Sequence, residues 1–344
     1  MKRNVFTFKK PEYHQTNMYD HYRVPLEQTE DEKLLLKTVV KLKKAAKTEP
    51  PVSLIKVLLS LTSHHNVNVL LSVLQILAQI AVVEPIPISL IYPLLDHADM
   101  RIQQLTWIVI SNAVHNESCR LSLLKLDVFK NMRRSMNSSN DQIIKAVLLS
   151  LFHMSYYVAI PNDFLLILEE KGVFSQDVEM RQLGLNIVAQ IAISPEIIKD
   201  AIDLELVSVF LSSLKDSDGQ VVTAALKCIL SMTLGNELQV QTLLDLHLMD
   251  QLHVLVYQHH TKVVEILINI AHFNKSVVLG FLGKLVPADY ELICVLVEDQ
   301  QIIPQIVNIW LPVLIRELEN PLALMAVQQI LILGESDKGT PILI

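Results

Sequence analysis

Six polar side chains recur inside otherwise apolar phrases: Gln79, Ser111, His153, Gln190, Ser231 and Asn269. They stand in LQILAQIA (74–81), TWIVISNA (106–113), LLSLFHMS (148–155), LNIVAQIA (185–192), KCILSMTL (227–234) and EILINIAH (265–272). Their successive spacings are 32, 42, 37, 41 and 38 residues. All six can hydrogen-bond, and an amide both donates and accepts. A row of such groups suits an extended polypeptide, whose backbone offers N–H and C=O groups along its length. Trp107 lies four residues before Ser111, so the two share one helical face. Asn186 holds the corresponding place before Gln190. An indole face attracts a cation and covers the aliphatic stem that carries it. The competing explanations are a buried core aromatic for Trp107 and a solvated helix face without a ligand for the row.

The elements that must position these residues are repeats. Met100–Met136 returns as 219–256: laid over each other without a gap, Gly235-Asn236 falls on His115-Asn116, Leu248 on Val128 and Ser231 on Ser111. Spacings near 40 residues approach the roughly 40–47 of two- and three-helix armadillo and HEAT units. The short interval of 32 predicts a unit that lacks its first helix. The chain is 344 residues long and 51% hydrophobic with 19% charged residues, a proportion that suits stacked helices buried on most sides. Glycines number only 8, and the β-branched residues sit at helical spacing. The expectation is an all-α fold: an α-solenoid, armadillo-like, a right-handed superhelix of about seven to eight two- or three-helix repeats.

Composition narrows the function. Cys119, Cys228 and Cys294 are widely separated and show no ligand spacing, which fits a reducing compartment. No signal peptide is evident, and the long uncharged run 66–83 carries Asn, Gln and Ser, so it reads as a buried helix rather than a membrane span. Residues 1–50 hold 11 Lys/Arg against 7 Asp/Glu; the rest hold 18 against 29, a net of −11. An acidic body argues against nucleic acid and admits a basic polypeptide partner. His253 with His259-His260, and His64-His65, lack a Cys or carboxylate at ligand spacing, so no metal or other cofactor is expected. No nucleophile elbow, phosphate-binding loop or zinc-protease motif occurs, and the expectation is a protein that is not an enzyme.

Taken in order, residues 1–48 read as a basic N-terminal arm and helix, 49–337 as the repeat body and 338–344 as a tail. Residues 1–30 lack a helical stripe and are expected to be an arm that orders only on binding. A first helix is predicted over about 30–47, acidic at its start and ending in Lys41, Lys43, Lys44 and Lys47, as the helix dipole favours. Between 273 and 320 the register blurs, with Pro287, Pro304 and Pro312 expected to interrupt helices. A last helix is predicted over 322–334, with Gln329 near the row position.

Three phrases resemble the importin-α family. LGNELQVQTLLDLHLMDQLHVLVY is similar to its repeat, in which a third helix ends in Gly-Asn and runs on into an amphipathic helix. TWIVIS resembles its third-helix signature, Trp followed four residues later by Asn, and AVQQILILGESD is similar to its closing phrase. The resemblance implies an adaptor in cytoplasm and nucleus that binds basic localisation peptides in its groove. Its Asn side chains would bond the cargo backbone, its Trp indoles would pack Lys stems, and importin-β would engage the N-terminal segment, here 1–48. Carried over, the peptide-binding residues are Trp107, Ser111, Gln79, His153, Asn186, Gln190, Ser231 and Asn269. The chain departs from the pattern at the other Trp positions, which hold Gln75, Leu149, Asn186, Lys227 and Glu265; Lys227 would repel a basic side chain. A second expectation, from another class, is a protein–protein scaffold or chaperone cofactor with no transport role.

Overall fold

The computed structural model describes residues 19–29, 31–46, 51–191, 206–234, 237–284, 289–299 and 301–334. The described residues contain helices, turns and bends and no strand. They group into two compact units that meet in sequence between Met154 and Ser155, within what the sequence presents as one repeat body.

In the first unit α1 (Asp20–Gln28), α2 (Glu32–Ala45) and α3 (Ile55–Ser60) precede α4 (Val67–Val83). A short α5 (Ile88–Ile91) and a 3-10 turn lead to α6 (Met100–Ala113); α7 (Glu117–Lys125), α8 (Val128–Met136) and α9 (Asp141–Ser155) follow. Only α5 and the turn separate α4 from α6, where α7 and α8 separate α6 from α9, so the short sequence interval corresponds to a unit without its first helix. α2 packs on α4 and α4 on α6. The uncharged run that begins at Asn66 is α4, with Val69, Leu70, Val73, Leu74, Ile76, Leu77 and Ile80 in the core.

Part of the expected arm is helical. α1 buries Tyr19 and Leu26, packs on α2 and α3, and its Arg23 donates to the Ser53 carbonyl at 3.1 Å. Two anchoring apolar residues are too few to make a periodic stripe, which is why the sequence pattern missed it. Residues 1–18, with Phe6, Phe8 and the basic pairs Lys2-Arg3 and Lys9-Lys10, lie outside the described residues. Asp31 caps α2 by accepting from Lys33 N–H and Leu34 N–H, and Lys43 and Lys44 close its last turn.

The second unit contains α10 (Phe164–Leu168), which continues into a π-helical turn (Glu169–Val173), then α11 (Val178–Ile191), α12 (Leu206–Ser213) and α13 (Gly219–Thr233). α14 (Glu237–Asp245), α15 (Leu248–Leu255), α16 (His260–Phe273), α17 (Lys275–Val278), α18 (Tyr290–Leu296), α19 (Ile303–Arg316) and α20 (Pro321–Gly334) complete it. α11 packs on α13, α13 on α16, α16 on α18 and α18 on α20. Pro304 occupies the first turn of α19, where its missing N–H costs nothing, but α19 runs through Pro312 instead of breaking there. Pro287, Gly235-Asn236 and the tail 338–344 lie outside the described residues.

One local device sets the register of the inner helices. Asn66, Asp99, Asn140, Asp177 and Asp218 each cap a helix, accepting from backbone N–H groups of its first turn at 2.8–3.3 Å. The N–H of each cap residue is held in turn by the side chain two residues earlier: His64 Nδ1, His97 Nδ1, Ser138 Oγ, Ser175 Oγ and Asp216 Oδ1, at 2.9–3.1 Å. The caps are spaced 33, 41, 37 and 41 residues apart, so the same reciprocal turn opens α4, α6, α9, α11 and α13.

Candidate functional site

Thirteen residues after each of these caps stands a side chain that is neither buried nor fully exposed: Gln79, Asn112, His153, Gln190 and Ser231. Asn269 on α16 has the same half-buried character. Four residues earlier, on the same helical faces, are Gln75, Ile108, Leu149, Asn186, Lys227 and Glu265. Within each unit these positions form the solvent-facing stripe of its inner helices.

The structure places Gln79, His153, Asn186, Gln190, Ser231 and Asn269 in the rows and takes Trp107 and Ser111 out of them. Both are 0% exposed. The Trp107 indole N–H donates to Ser135 Oγ at 3.1 Å, and the Trp107 carbonyl accepts from Ser150 Oγ at 2.9 Å. An indole enclosed in this way has no face to offer a ligand, so the expected Lys-stacking role falls away. The residues that sequence reasoning missed are Ile108 and Asn112, one position further on. The signal was available in the cap spacing: Asp99 stands thirteen residues before Asn112, as Asn66 does before Gln79.

The slip has a definite origin. Asp127 and His247, which precede α8 and α15, are both left-handed, at φ 51° and 61°, and lie 120 residues apart. The caps Asp99 and Asp218 lie 119 apart, and α13 has 15 residues where α6 has 14. A gap-free overlay is therefore correct at the left-handed residues and wrong by one in the inner helix.

The row side chains bond backward from helix to helix. Asn112 Nδ2 donates to the Ala78 carbonyl at 2.8 Å, and Ser231 Oγ donates to the Ala189 carbonyl at 2.9 Å. His153 Nδ1 lies 2.9 Å from Ser111 Oγ and 3.0 Å from the Ser111 carbonyl. Each of these carbonyls belongs to the residue just before the preceding row position. One turn earlier, Ser150 Oγ and Cys228 Sγ (3.0 Å) reach the Trp107 and Leu185 carbonyls in the same relation. Asn269 Nδ2 donates to Thr233 Oγ1 at 3.0 Å, and Lys227 Nζ donates to Asn186 Oδ1 at 3.0 Å. Thus much of the rows' polarity is committed to seating one inner helix on the next. Capacity remains: among the described residues nothing bonds the Gln75 or Gln190 amide, and Asn112 keeps its oxygen and its second N–H.

Charge in the rows differs from charge in the chain. The net charge of the whole sequence is −7, yet the single carboxylate in the two rows is Glu265, ion-paired with Lys262. Lys227 is exposed and has no carboxylate partner among the described residues. His115 stacks at a tilt 4.7 Å from His153; burial, then the neighbouring His153 and Arg120 charges, push its imidazole below the usual range.

The histidines weighed as metal ligands have other partners. His64 Nδ1 holds the Asn66 N–H, His253 stacks on Phe281 at 4.1 Å, and His260 Nε2 lies 3.2 Å from buried Asp289. Among the described residues no group of three His, Cys, Asp or Glu is placed to hold a metal ion. No described helix is long and apolar enough to cross a membrane. All three cysteines are buried free thiols, and burial pushes the Cys228 thiol up.

No family model and no curated protein matches the chain. Among solved structures, the crystal structure of an engineered protein aligns with 90% of this chain and 89% of its own, at TM-score 0.71 and 17% identity. A computationally designed armadillo repeat protein for modular peptide recognition aligns with 63% of this chain and 99% of its own, at TM-score 0.53 and 19% identity. The fold is an all-α, armadillo-like α-solenoid.

Proposed function

We propose that this protein is a scaffold that binds extended peptide segments along the row of inner helices within each of its two units. The observation that carries this is the recurrence of a half-buried hydrogen-bonding side chain thirteen residues after each cap, on the solvent side of successive helices. Such a row meets the donors and acceptors of an extended backbone at regular steps, with several weak subsites on one chain supplying affinity together. The likeness to a design made for modular peptide recognition supports the same assignment.

Two finer forms follow from the sequence. One is a nuclear import adaptor that binds basic localisation signals and links them to importin-β through residues 1–48; the quoted importin-α-like phrases support it. The other is a scaffold without transport. Ile108 in place of an indole, exposed Lys227 and the pairing of Glu265 with Lys262 favour the second, because a basic cargo side chain would find no aromatic shelf in the rows and one carboxylate, already ion-paired. The scaffold works without catalysis or cofactor in the cytoplasm and nucleus, in keeping with its three free thiols. Ser111, whose hydroxyl lies 2.9 Å from His153 Nδ1, is 0% exposed.

The test is selection of peptides from a random display library on the full chain, repeated on Asn112→Ala with Gln190→Ala. Enriched peptides that lose binding to the double variant are the expected result; no enrichment on the well-folded chain refutes the assignment. Salt-sensitive binding of a basic localisation peptide, with importin-β captured only when residues 1–48 are present, would select the adaptor form.

A further inference from the structure

We infer that the row formed by α11, α13 and α16 takes an extended peptide carrying an Asp or Glu side chain opposite Lys227, a specificity that rests on the peptide-binding assignment above. Lys227 stands in the middle of α13, four residues before Ser231, and its side chain is on the exposed stripe. One of its three N–H donors goes to Asn186 Oδ1 at 3.0 Å; among the described residues the other two have no partner and can serve a ligand. No carboxylate among the described residues neutralises it.

Its surroundings select the same chemistry. Along α13 it is flanked by Thr223, whose hydroxyl donates to the Gly219 carbonyl, and by Ser231, which donates to Ala189. On α11 the Asn186 amide meets it, with Gln190 one turn further along that helix, and at the corresponding row position of α16 the carboxylate of Glu265 is engaged by Lys262. Asn186 turns its oxygen to the ammonium and gives an N–H to the Gln182 carbonyl at 2.8 Å, leaving its second N–H as a donor. A carboxylate at this point receives charge-assisted bonds from Lys227 and an amide N–H beside it, while the Gln190 amide, which nothing among the described residues bonds, can pair with peptide backbone. A Lys or Arg at the same point meets the Lys227 ammonium, and the Glu265 carboxylate on α16 is already paired with Lys262. The acidity of the chain as a whole makes this contrast local: the −7 of the sequence is not displayed here.

The experiment uses the full chain and three fluorescent peptides of equal length in one apolar frame. Their central residues are Asp/Glu, Ser/Thr or Lys/Arg, and binding is followed by polarisation at low and physiological salt. The acidic peptide should bind about tenfold more tightly than the neutral one, with the basic peptide weakest. Lys227→Met should bring acidic and neutral peptides level, and Lys227→Glu should reverse the order; thermal melts of both should stay close to the parent because the side chain is exposed and the one bond lost, to Asn186, lies at the surface. A basic preference in the parent chain, or an acidic preference that survives Lys227→Glu, overturns the specificity while leaving the peptide-binding assignment intact. Failure of all three peptides, together with an unproductive library selection, overturns both.

Discussion

Trp107 and Asn112 show how much one residue position decides. Trp107 is sealed in the core with its N–H on Ser135, so truncation opens a cavity and strands a polar partner. Trp107→Ala should cost about 3–5 kcal/mol in denaturant unfolding. Asn112→Ala should cost about 1 kcal/mol, because the Ala78 carbonyl it serves keeps its helical bond, yet it should weaken peptide binding. The reverse pattern, stability insensitive to Trp107 and binding dependent on it, would return the indole to the ligand face.

Within the elements, caps and close approaches carry the specificity of packing. Asp99 caps α6, and the bidentate Arg101 guanidinium, at 2.7 and 3.1 Å, holds its carboxyl down at about 2. Its folded pKa is depressed, so the stability it supplies is present above the ordinary carboxylate range near ~4 and is lost as pH falls toward 2. The melting difference between the parent chain and Asp99→Ala should therefore be largest near neutrality and should shrink through that window. A difference constant with pH would mean that the charge plays no part in the cap. In the second unit the π-helical turn meets α11 at Gly172 and Gly184: a Cβ on Gly184 would lie 2.8 Å from the Gly172 Cα, which is backbone and cannot swing aside. Gly184→Ala should destabilise by about 1–3 kcal/mol, and an unchanged denaturation midpoint would show that the helices slide apart freely. At His247 the backbone is left-handed, so His247→Val should cost about 1–2 kcal/mol although the side chain is exposed.

Across the molecule, repetition converts weak local preferences into a function. Each unit carries its own polar row, and subsites on one chain add their contributions when a single extended ligand engages several. Because Lys227 is exposed, its share of acidic-peptide affinity should fall as salt rises from low to physiological strength. Affinity that is indifferent to salt would place the peptide's carboxylate away from Lys227.

The amino-acid sequence by itself determined that the chain is helical and repetitive, because apolar spacing and scarce glycine leave few other ways to bury half of its residues. It also determined the approximate rows: Gln79, His153, Asn186, Gln190, Ser231 and Asn269 were legible as polar interruptions in apolar phrases. Tertiary structure decided the rest. Each helical residue turns the side chain by about 100°, so an error of one position carried the predicted site from solvent-facing Ile108 and Asn112 into the core at Trp107 and Ser111. Periodicity defines a face only through what packs against it, and the spacing from Asp99 to Asn112, present in the sequence, marks the row only once Asp99 and its counterparts are seen to cap their helices. Likewise α1 owes its place to packing on α2 and α3, and the rows owe their charge to the pairing of Glu265 with Lys262. These are contacts between segments distant in sequence or between side chains whose geometry only packing sets, and no local pattern records them.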